Sequence, residues 1–247
     1  MCIVMDGNGS AFKDKMITET ESVYTFRNHK LNKVISKKYI SEYYYKKVKD
    51  KINNLNIDWS CVNVEDTVKE LDGDISVGQA YEFLCLMMGM SWFDAGKLMG
   101  LSQYKNYKSK LPEGYNSSEW INKVDASYII QKNLENKVFS VVDEYTNKTE
   151  IKNVILTGGI FLNCVSNYNL AKKFPDLNIH VDPMCSDNGI SIGKALISYI
   201  KKYGESPNRI QGSYHGSSES LDEIKNFGCS YKTNITYSDI VEILING

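Results

Sequence analysis

Strands and helices alternate between residues 150 and 203, and this pattern constrains the fold more than any other feature of the chain. Short β-branched, apolar runs predict strands at 154–157 and 179–182. Helical periodicity predicts helices at 161–173 and 189–202. Alternation of this kind produces parallel strands with helices packed on the faces of a sheet.

The N-terminal part predicts antiparallel strands, in contrast to the parallel strands predicted after residue 150. Residues 2–6 read as a buried strand that ends at the turn Gly7-Asn8-Gly9, and period-two alternation at 22–27 and 31–38 predicts a hairpin. These three strands form an antiparallel meander. Helices are predicted next, at 77–90 with Ser76 as its cap, at 96–101 and at 125–146.

This order of elements predicts an α/β fold of the ribonuclease-H-like type, the lobe that in duplicate builds actin, hexokinase and the heat-shock ATPases. We expect three antiparallel strands followed by parallel strands, with helices on both faces. Residues 46–71 read as helix and loop, and we interpret about 40–72 as an insertion. The chain begins with Met1 and ends within an apolar helical pattern at 237–247, which suggests a truncated C-terminal domain after a linker from residue 204.

Charge and composition restrict the partners. The chain has 29 Lys and Arg against 30 Asp and Glu, so no field of the whole chain attracts nucleic acid or membrane. A stretch at 30–51 has eight lysines around Tyr43, Tyr44 and Tyr45, which suits either a phosphate-binding patch or a solvated helix face. The absence of a nucleic-acid motif favours the helix face.

The cysteines and hydropathy indicate the compartment. Six cysteines occur without a CxxC pair, no secretory signal precedes them, and no apolar run reaches the roughly 18 residues that span a bilayer. We therefore expect a soluble cytoplasmic protein with reduced thiols and no membrane partner.

Two loops carry the residue types of a nucleotide and metal site. Gly158 and Gly159 follow a strand and open a helix, so their N–H groups can face phosphate or ribose oxygens. Asp187 precedes the next helix, where it can bind a cation or cap the helix. Asp6 can likewise bind a metal or form a turn, and Lys97 can reach a phosphate or remain solvated.

Four ordered blocks resemble a known family. They are DGNG at 6–9, GQAYEFLCLMMGM at 78–90, GKLMGLSQY at 96–104, and LTGGIFLNC at 156–164 with the later SDNG loop. Over residues 1–203 the chain resembles the O-carbamoyltransferases of antibiotic and nodulation-factor biosynthesis. The resemblance implies the second lobe of an actin-like transfer domain, in which a carbamoyl group passes from carbamoyl-adenylate to a hydroxyl of a small molecule.

The resemblance also implies ligands and site residues. Carbamoyl phosphate and ATP would supply the carbamoyl-adenylate, with iron or magnesium as the divalent metal. Asp6 and Asp187 are similar in position to the family's metal carboxylates and are the expected catalytic residues. The expected nucleotide-binding residues are Gly7, Gly9, Lys97, Gly158, Gly159, Asn163, Asn188 and Gly189.

The chain departs from the family's pattern at the metal site. The family takes two histidines from a His-x-x-x-His segment ahead of the DGxG strand, and no such segment precedes Asp6. We interpret His29, His180 and His215 as structural or solvent-facing. The chain alone is therefore expected to be an incomplete transferase, with complementary polypeptides carrying the missing lobe and the adenylate-forming domain, or else a fragment or a decayed enzyme.

Three rival functions stay open from the sequence. A tRNA threonylcarbamoyl transferase shares the lobe and a loop similar to CSDNG, although the GKLMGL block points away from it. A metal-dependent nuclease would use Asp6 but requires an acidic residue near 157–159, where the chain has Thr-Gly-Gly. A non-catalytic remnant would bind nucleotide without carbamoyl transfer.

Overall fold

The computed structural model describes residues 1–7, 9, 11–12, 17–28, 30–41, 61–65, 68–71, 76–111, 113–114, 117–205, 207 and 234–246. The chain divides into two compact units, Met1–Pro207 and Asn208–Gly247. The predicted division at residue 203, with a linker and a further domain after it, stays a prediction.

The first unit contains a mixed sheet and five described α-helices. The strands are β1 (Cys2–Met5), β2 (Ala11–Phe12), β3 (Ile17–Arg27), β4 (Lys30–Ser41), β5 (Cys61–Glu65), β6 (Val68–Leu71), β7 (Asn153–Thr157) and β8 (Asn178–Val181). The helices are α1 (Val77–Met87), α2 (Ala95–Ser102), α3 (Ser118–Thr149), α4 (Cys164–Lys173) and α5 (Gly189–Tyr203).

The strand order of the sheet is β5-β6-β4-β3-β1-β7-β8, with β2 paired to β3. The predicted hairpin is confirmed, because β3 and β4 pair antiparallel and turn at Asn28, whose φ is 50°. β1 pairs antiparallel with β3 and parallel with β7, and β7 pairs parallel with β8. The sheet is therefore antiparallel on one side of β1 and parallel on the other.

The core lies on one face of this sheet. Ile3 and Met5 in β1, and Val154 and Leu156 in β7, alternate along their strands and are at most 1% exposed. They belong to one apolar cluster with residues of α1, α3 and α4. Every second side chain of these strands is thus buried and packs against the apolar faces of the three helices.

The opposite face is less covered than the prediction of helices on both faces implies. Ile155 of β7 points away from the core and is 46% exposed. Helix α5 buries no residue, and its Ile197 and Ile200 stay exposed. Within the described residues, burial is concentrated on the face of α1, α3 and α4.

One sequence interpretation of the N-terminal half is wrong. Residues 61–71, expected to be helix and loop, contain β5 and β6, and β6 extends the sheet by pairing parallel with β4. The part of the lysine-rich stretch that was predicted as a strand, 31–38, lies within β4. Residues 42–60, with Tyr43 to Tyr45 and the rest of the lysines, lie outside the described residues, as do His29 and His215.

The long helix α3 begins seven residues before its predicted start. Ser117 is its N-cap and accepts a hydrogen bond from the Trp120 N–H, and the helix ends at Glu150, whose φ is 56°. Its predicted apolar face is confirmed at Val138 and its neighbours, but Ile129 is 44% exposed. The first two turns, SEWINKV, mix apolar and polar residues, so periodicity alone does not mark where this helix begins.

The second unit is described only at 234–246. Helix α6 (Tyr237–Asn246) confirms the predicted C-terminal helix. Thr236 precedes it and exchanges hydrogen bonds with Asp239. No described helix in either unit is both long and apolar enough to cross a bilayer.

A buried ion cluster joins α3 to the sheet. Glu21 of β3 is 3% exposed, and its Oε2 lies 2.8 Å from Lys137 Nζ of α3. Its Oε1 forms an ion pair at 2.5 Å with Lys38 of β4, without a well-directed hydrogen bond. Burial by itself raises the pKa of Glu21, but the charges of Lys137 and Lys38 outweigh it and hold that pKa below its usual value.

Replacing Glu21 tests whether this cluster anchors α3. We expect Glu21→Ala to lower the free energy of unfolding at pH 7 by about 3–5 kcal/mol, because it removes the carboxylate that both lysines contact in the core. The exposed pair Glu119 with Lys123 provides the control, and Glu119→Ala is expected to leave urea unfolding unchanged.

The pH dependence of the same variant has a definite sign. Because folding lowers the pKa of Glu21, its contribution is complete above the unfolded pKa and is lost as the pH falls through the folded one. The difference between the wild type and Glu21→Ala should therefore shrink in acid. A difference that is constant between pH 3 and pH 7 would contradict this assignment.

Candidate functional site

The carboxyl end of β1 carries the first predicted site residues. The Asp6 N–H donates to the Thr20 carbonyl at 2.9 Å, and Asp6 Oδ1 accepts from the Gly7 N–H at 2.7 Å. The Gly9 N–H donates to the Glu19 carbonyl at 2.8 Å. The backbone at 6–9 is thus held to β3, and the Asp6 side chain lies at the strand end.

Two of the family-like blocks meet directly at Gly7. A Cβ built on Gly78 would lie 2.6 Å from the Gly7 Cα, so this contact requires a residue without a side chain. Ser76, the cap of α1, donates from its Oγ to the Gly7 carbonyl at 2.9 Å. The start of α1 is therefore packed against the turn that follows β1.

The loop after β7 approaches β1 just as closely. Gly158 has a φ of 102°, and a Cβ there would lie 2.0 Å from the Met5 carbonyl oxygen. The Gly159 N–H points to Asp6 Oδ2 at 3.4 Å. Gly158 and Gly159, predicted to present their backbone, thus lie beside the predicted carboxylate. They open a 3-10 turn, Gly159–Leu162, rather than the helix expected from residue 161.

The second predicted loop, 182–188, joins the same edge of the sheet. The Cys185 carbonyl accepts from the Gly158 N–H at 2.6 Å and from the Thr157 hydroxyl at 3.0 Å. Gly189 permits a tight turn, because a Cβ there would lie 2.1 Å from the Met184 carbonyl oxygen. The structure therefore brings the loops after β1, β7 and β8 together.

Asp187 and Asn188 are both exposed at the start of α5. The N-cap is Asn188, and it makes no side-chain hydrogen bond to the helix. The alternative that Asp187 is the cap is therefore wrong. The role of Asp187 as a metal ligand stays a prediction.

Lys97 lies on α2, and its side chain is 72% exposed. Its Nζ forms an ion pair at 2.8 Å with Asp94, one turn earlier. This arrangement agrees with the solvated alternative. Contact between Lys97 and a phosphate stays a prediction.

Asn163 is buried and caps α4 by accepting from the Ser166 N–H at 2.9 Å. Its amide also exchanges hydrogen bonds with Gln131 of α3. The sequence predicted Asn163 as a nucleotide contact, but it did not predict Gln131 or the Tyr81 hydroxyl that donates to Gln131. Tyr81 and Gln131 lie on different helices far from Asn163 in sequence, so no local sequence pattern indicates that they contact one another.

Glu82 is a further carboxyl group at this site. Its Oε1 would lie 3.3 Å from a Cβ on Gly7. Burial raises the pKa of Glu82, and the charge of Asp6 raises it further. Glu82 follows Tyr81 in the block GQAYEFLCLMMGM, so the motif contained the signal that a second acidic residue faces Asp6.

No described set of three histidine, cysteine or acidic side chains is arranged to hold a metal. His180, on β8, is exposed. The described cysteines, Cys2, Cys85, Cys164 and Cys185, form no disulfide. Asp6 and Asp187 thus remain the metal-binding prediction for this edge of the sheet.

Known proteins resemble this chain in the region that contains the loops after β7 and β8. Residues 113–196 match the family model for the carbamoyltransferase N-terminus, a range that includes Gly158, Asn163 and Asp187. The nodulation protein NolNO of Sinorhizobium fredii is 33% identical over 37% of this chain and 14% of its own length. An uncharacterized protein of Methanocaldococcus jannaschii, MJ1051, is 27% identical over 69% of this chain and 40% of its own.

The predicted resemblance to the carbamoyltransferases is confirmed over part of the chain, by the family model at 113–196 and by NolNO. It spans less than half of the relatives it matches. An uncharacterized Synechocystis protein, sll1178, is 29% identical over 42% of this chain and 18% of its own length.

A substitution at Gly158 tests the contact on which the site depends. We expect Gly158→Ala to lower the free energy of unfolding by more than ~3 kcal/mol, because the methyl group meets the Met5 carbonyl and the positive φ disfavours alanine. Urea denaturation measures the change.

Gly193 of α5 provides the matched control, since a Cβ there meets nothing within 4 Å. Gly193→Ala should stabilise the protein by about 0.5–1 kcal/mol through helix propensity. Equal effects of the two substitutions would show that Gly158 does not make the close approach.

Proposed function

We propose that this chain forms part of a carbamoyl-transfer domain, in which a carbamoyl group passes from carbamoyl-adenylate to the hydroxyl of a small-molecule acceptor. Carbamoyl phosphate and ATP would supply the adenylate. The observation that carries the proposal is the convergence of Asp6, Gly159 and the 182–188 loop at one edge of the sheet. Ligands of α/β proteins bind at the carboxyl ends of parallel strands.

We also propose that this part of the chain is a ribonuclease-H-like lobe. The order β4-β3-β1-β7-β8 within the sheet, antiparallel and then parallel, supports a ribonuclease-H-like lobe of the actin type. In such a lobe the strand-end loops face the nucleotide. The loops after β1, β7 and β8 meet the same requirement here.

The backbone of the loop after β7 supports nucleotide binding. Gly158 and Gly159 carry no side chain, and the Gly159 N–H faces the carboxylate edge, where it can donate to a phosphate oxygen. Gly7, Gly9 and Gly189 keep the neighbouring backbone tight. Asn188 is exposed at the start of α5, and we propose that its side-chain amide donates to the ligand.

The chemistry requires a nucleophile, a leaving group and a base. The acceptor oxygen attacks the carbamoyl carbon, the bond between that carbon and the phosphate oxygen breaks, and AMP leaves with the electron pair. The acceptor's proton must go to a base. Glu82, whose pKa is raised beside Asp6, is a carboxylate suited to accept it.

A divalent cation fits the donors at this edge. Asp6 and Asp187 provide two carboxylates, and magnesium is commonly bound by one or two carboxylates together with water and phosphate oxygens. Bound there, the cation would neutralise phosphate charge. Iron fits less well, because it favours imidazole ligands and the described residues place no histidine in a metal-binding group.

The rival functions have less support. The nuclease requires an acidic residue after β7, but that strand ends at Thr157, whose hydroxyl donates to Cys185. The matched model is that of the carbamoyltransferase N-terminus, which favours carbamoyl transfer over threonylcarbamoyl transfer. A nucleotide-binding remnant predicts AMP binding without carbamoyl transfer.

Partners and location follow from the same proposal. Since the chain spans part of its relatives' length, complementary polypeptide segments would carry the remaining lobe and the adenylate-forming domain. The unpaired described cysteines support a reducing, cytoplasmic location.

Calorimetry with AMP and magnesium tests the site. We expect the purified chain to bind AMP, and Asp6→Asn to weaken binding in the presence of magnesium on the order of tenfold, because one carboxylate ligand is lost. Asp143→Asn, an exposed acidic residue on α3, should bind AMP as the wild type does. No binding by the wild type would contradict the proposal.

Activity assays separate the transferase from its rivals. The chain alone, given carbamoyl phosphate, ATP and hydroxyl acceptors, is expected to form no carbamate ester until the complementary segments are added. Turnover by the chain alone would show that it is a complete enzyme. Nuclease activity that Asp6→Asn abolishes would favour the nuclease instead.

A further inference from the structure

Four buried polar side chains form a group directly behind the loop after β7. Tyr81 lies on α1, Gln131 and Glu135 lie on α3, and Asn163 precedes α4; each is at most 9% exposed. Buried polar groups of this kind are costly unless their hydrogen bonds are satisfied. Here they connect to one another and so join three helices.

Gln131 and Asn163 form a reciprocal amide pair. Asn163 Nδ2 donates to Gln131 Oε1 at 2.9 Å, and Gln131 Nε2 donates to Asn163 Oδ1 at 3.2 Å. Asn163 Oδ1 also accepts from the Ser166 N–H at 2.9 Å. The amide that caps α4 is therefore held from behind by α3.

The orientation of Gln131 is fixed by its other neighbours. Gln131 Nε2 donates at 3.1 Å to Glu135 Oε1, and a carboxylate can only accept. Lys132 Nζ forms an ion pair with the other oxygen of this carboxylate, Glu135 Oε2, at 2.6 Å. The Tyr81 hydroxyl donates to Gln131 Oε1 at 2.8 Å, and burial raises the pKa of Tyr81, so the hydroxyl keeps its proton.

These contacts use most of the hydrogen-bonding capacity of Asn163. Its Oδ1 already accepts from Ser166 and Gln131. Its Nδ2 donates to Gln131 and also interacts with the Tyr81 hydroxyl. A nucleotide could contact the Asn163 amide only by displacing one of these buried partners.

We infer that Asn163 serves the site by positioning, and that Gln131, held by Tyr81 and Glu135, is the residue that sets its orientation. This inference rests on the proposed function for its consequence, nucleotide binding. Asn163 caps the first turn of α4 and ends the Gly159–Leu162 turn, so its orientation determines where the loop N–H groups point. Gln131 acts on the ligand only through this loop.

Gln131→Glu tests the inference with little change of shape. The carboxylate can still accept from Tyr81 and Asn163, but it can no longer donate to Asn163 Oδ1 or Glu135. We expect AMP affinity and the protection of the Ser166 amide from hydrogen exchange each to fall on the order of tenfold. The exposed Asn136 of the same helix gives the control, Asn136→Asp, which should change neither.

Two further variants separate positioning from general destabilisation. The double variant Gln131→Glu with Glu135→Gln restores a donor and an acceptor between positions 131 and 135, and it should recover part of the lost protection. Tyr81→Phe removes one hydrogen bond and is the substitute variant if Gln131→Glu does not fold. It should shift both readouts in the same direction by a smaller factor.

The outcomes distinguish this inference from the proposed function. Unchanged Ser166 exchange in Gln131→Glu, or loss of protection spread evenly over the whole chain, would overturn the inference. Ser166 exchange that rises in Gln131→Glu but not in Asn136→Asp supports it, even where the wild type fails to bind AMP. That failure would overturn the proposed function alone.

Discussion

The backbone of Gly158 lies against the Met5 carbonyl, at a distance that leaves no room for a Cβ. This contact sits where parallel strands β1 and β7 end, and the arrangement around it depends on the same closeness. It allows the Gly159 N–H to face Asp6 and the Gly158 N–H to reach the Cys185 carbonyl. Three segments distant in sequence meet because one backbone position carries no side chain.

Two buried polar groups hold the helices to this edge. Glu21 joins β3 to α3 through Lys137, and Gln131 joins α3 to the start of α4 through Asn163. Apolar contact supplies most of the burial, but it does not specify the rotation of a long helix about its axis. Directional contacts at two points along α3 do so, because each requires a particular side chain to face inward.

The relation to carbamoyltransferases and the geometry of the site support each other. The matched range, 113–196, contains α3, the loop after β7 and the loop after β8. Asp6 and Glu82 lie outside this range, yet the fold brings them to the same place. The proposed site is thus assembled from a matched segment and an N-terminal part that completes its carboxylate edge.

The sequence by itself determined the elements whose cause is local. Alternation at 154–203, the hairpin around Asn28 and the glycine pairs predicted strands, turns and the loops of the site, because periodicity and backbone freedom are properties of neighbouring residues. The four blocks also predicted the resemblance to the carbamoyltransferases, which the partial matches support. The sequence did not predict strands β5 and β6, since β6 pairs with β4 and β5 pairs with β6 across residues that carry no clear pattern. Only the tertiary structure decided that Glu82 faces Asp6 and that Gln131 holds Asn163, because contacts between helices distant in sequence depend on how those helices pack.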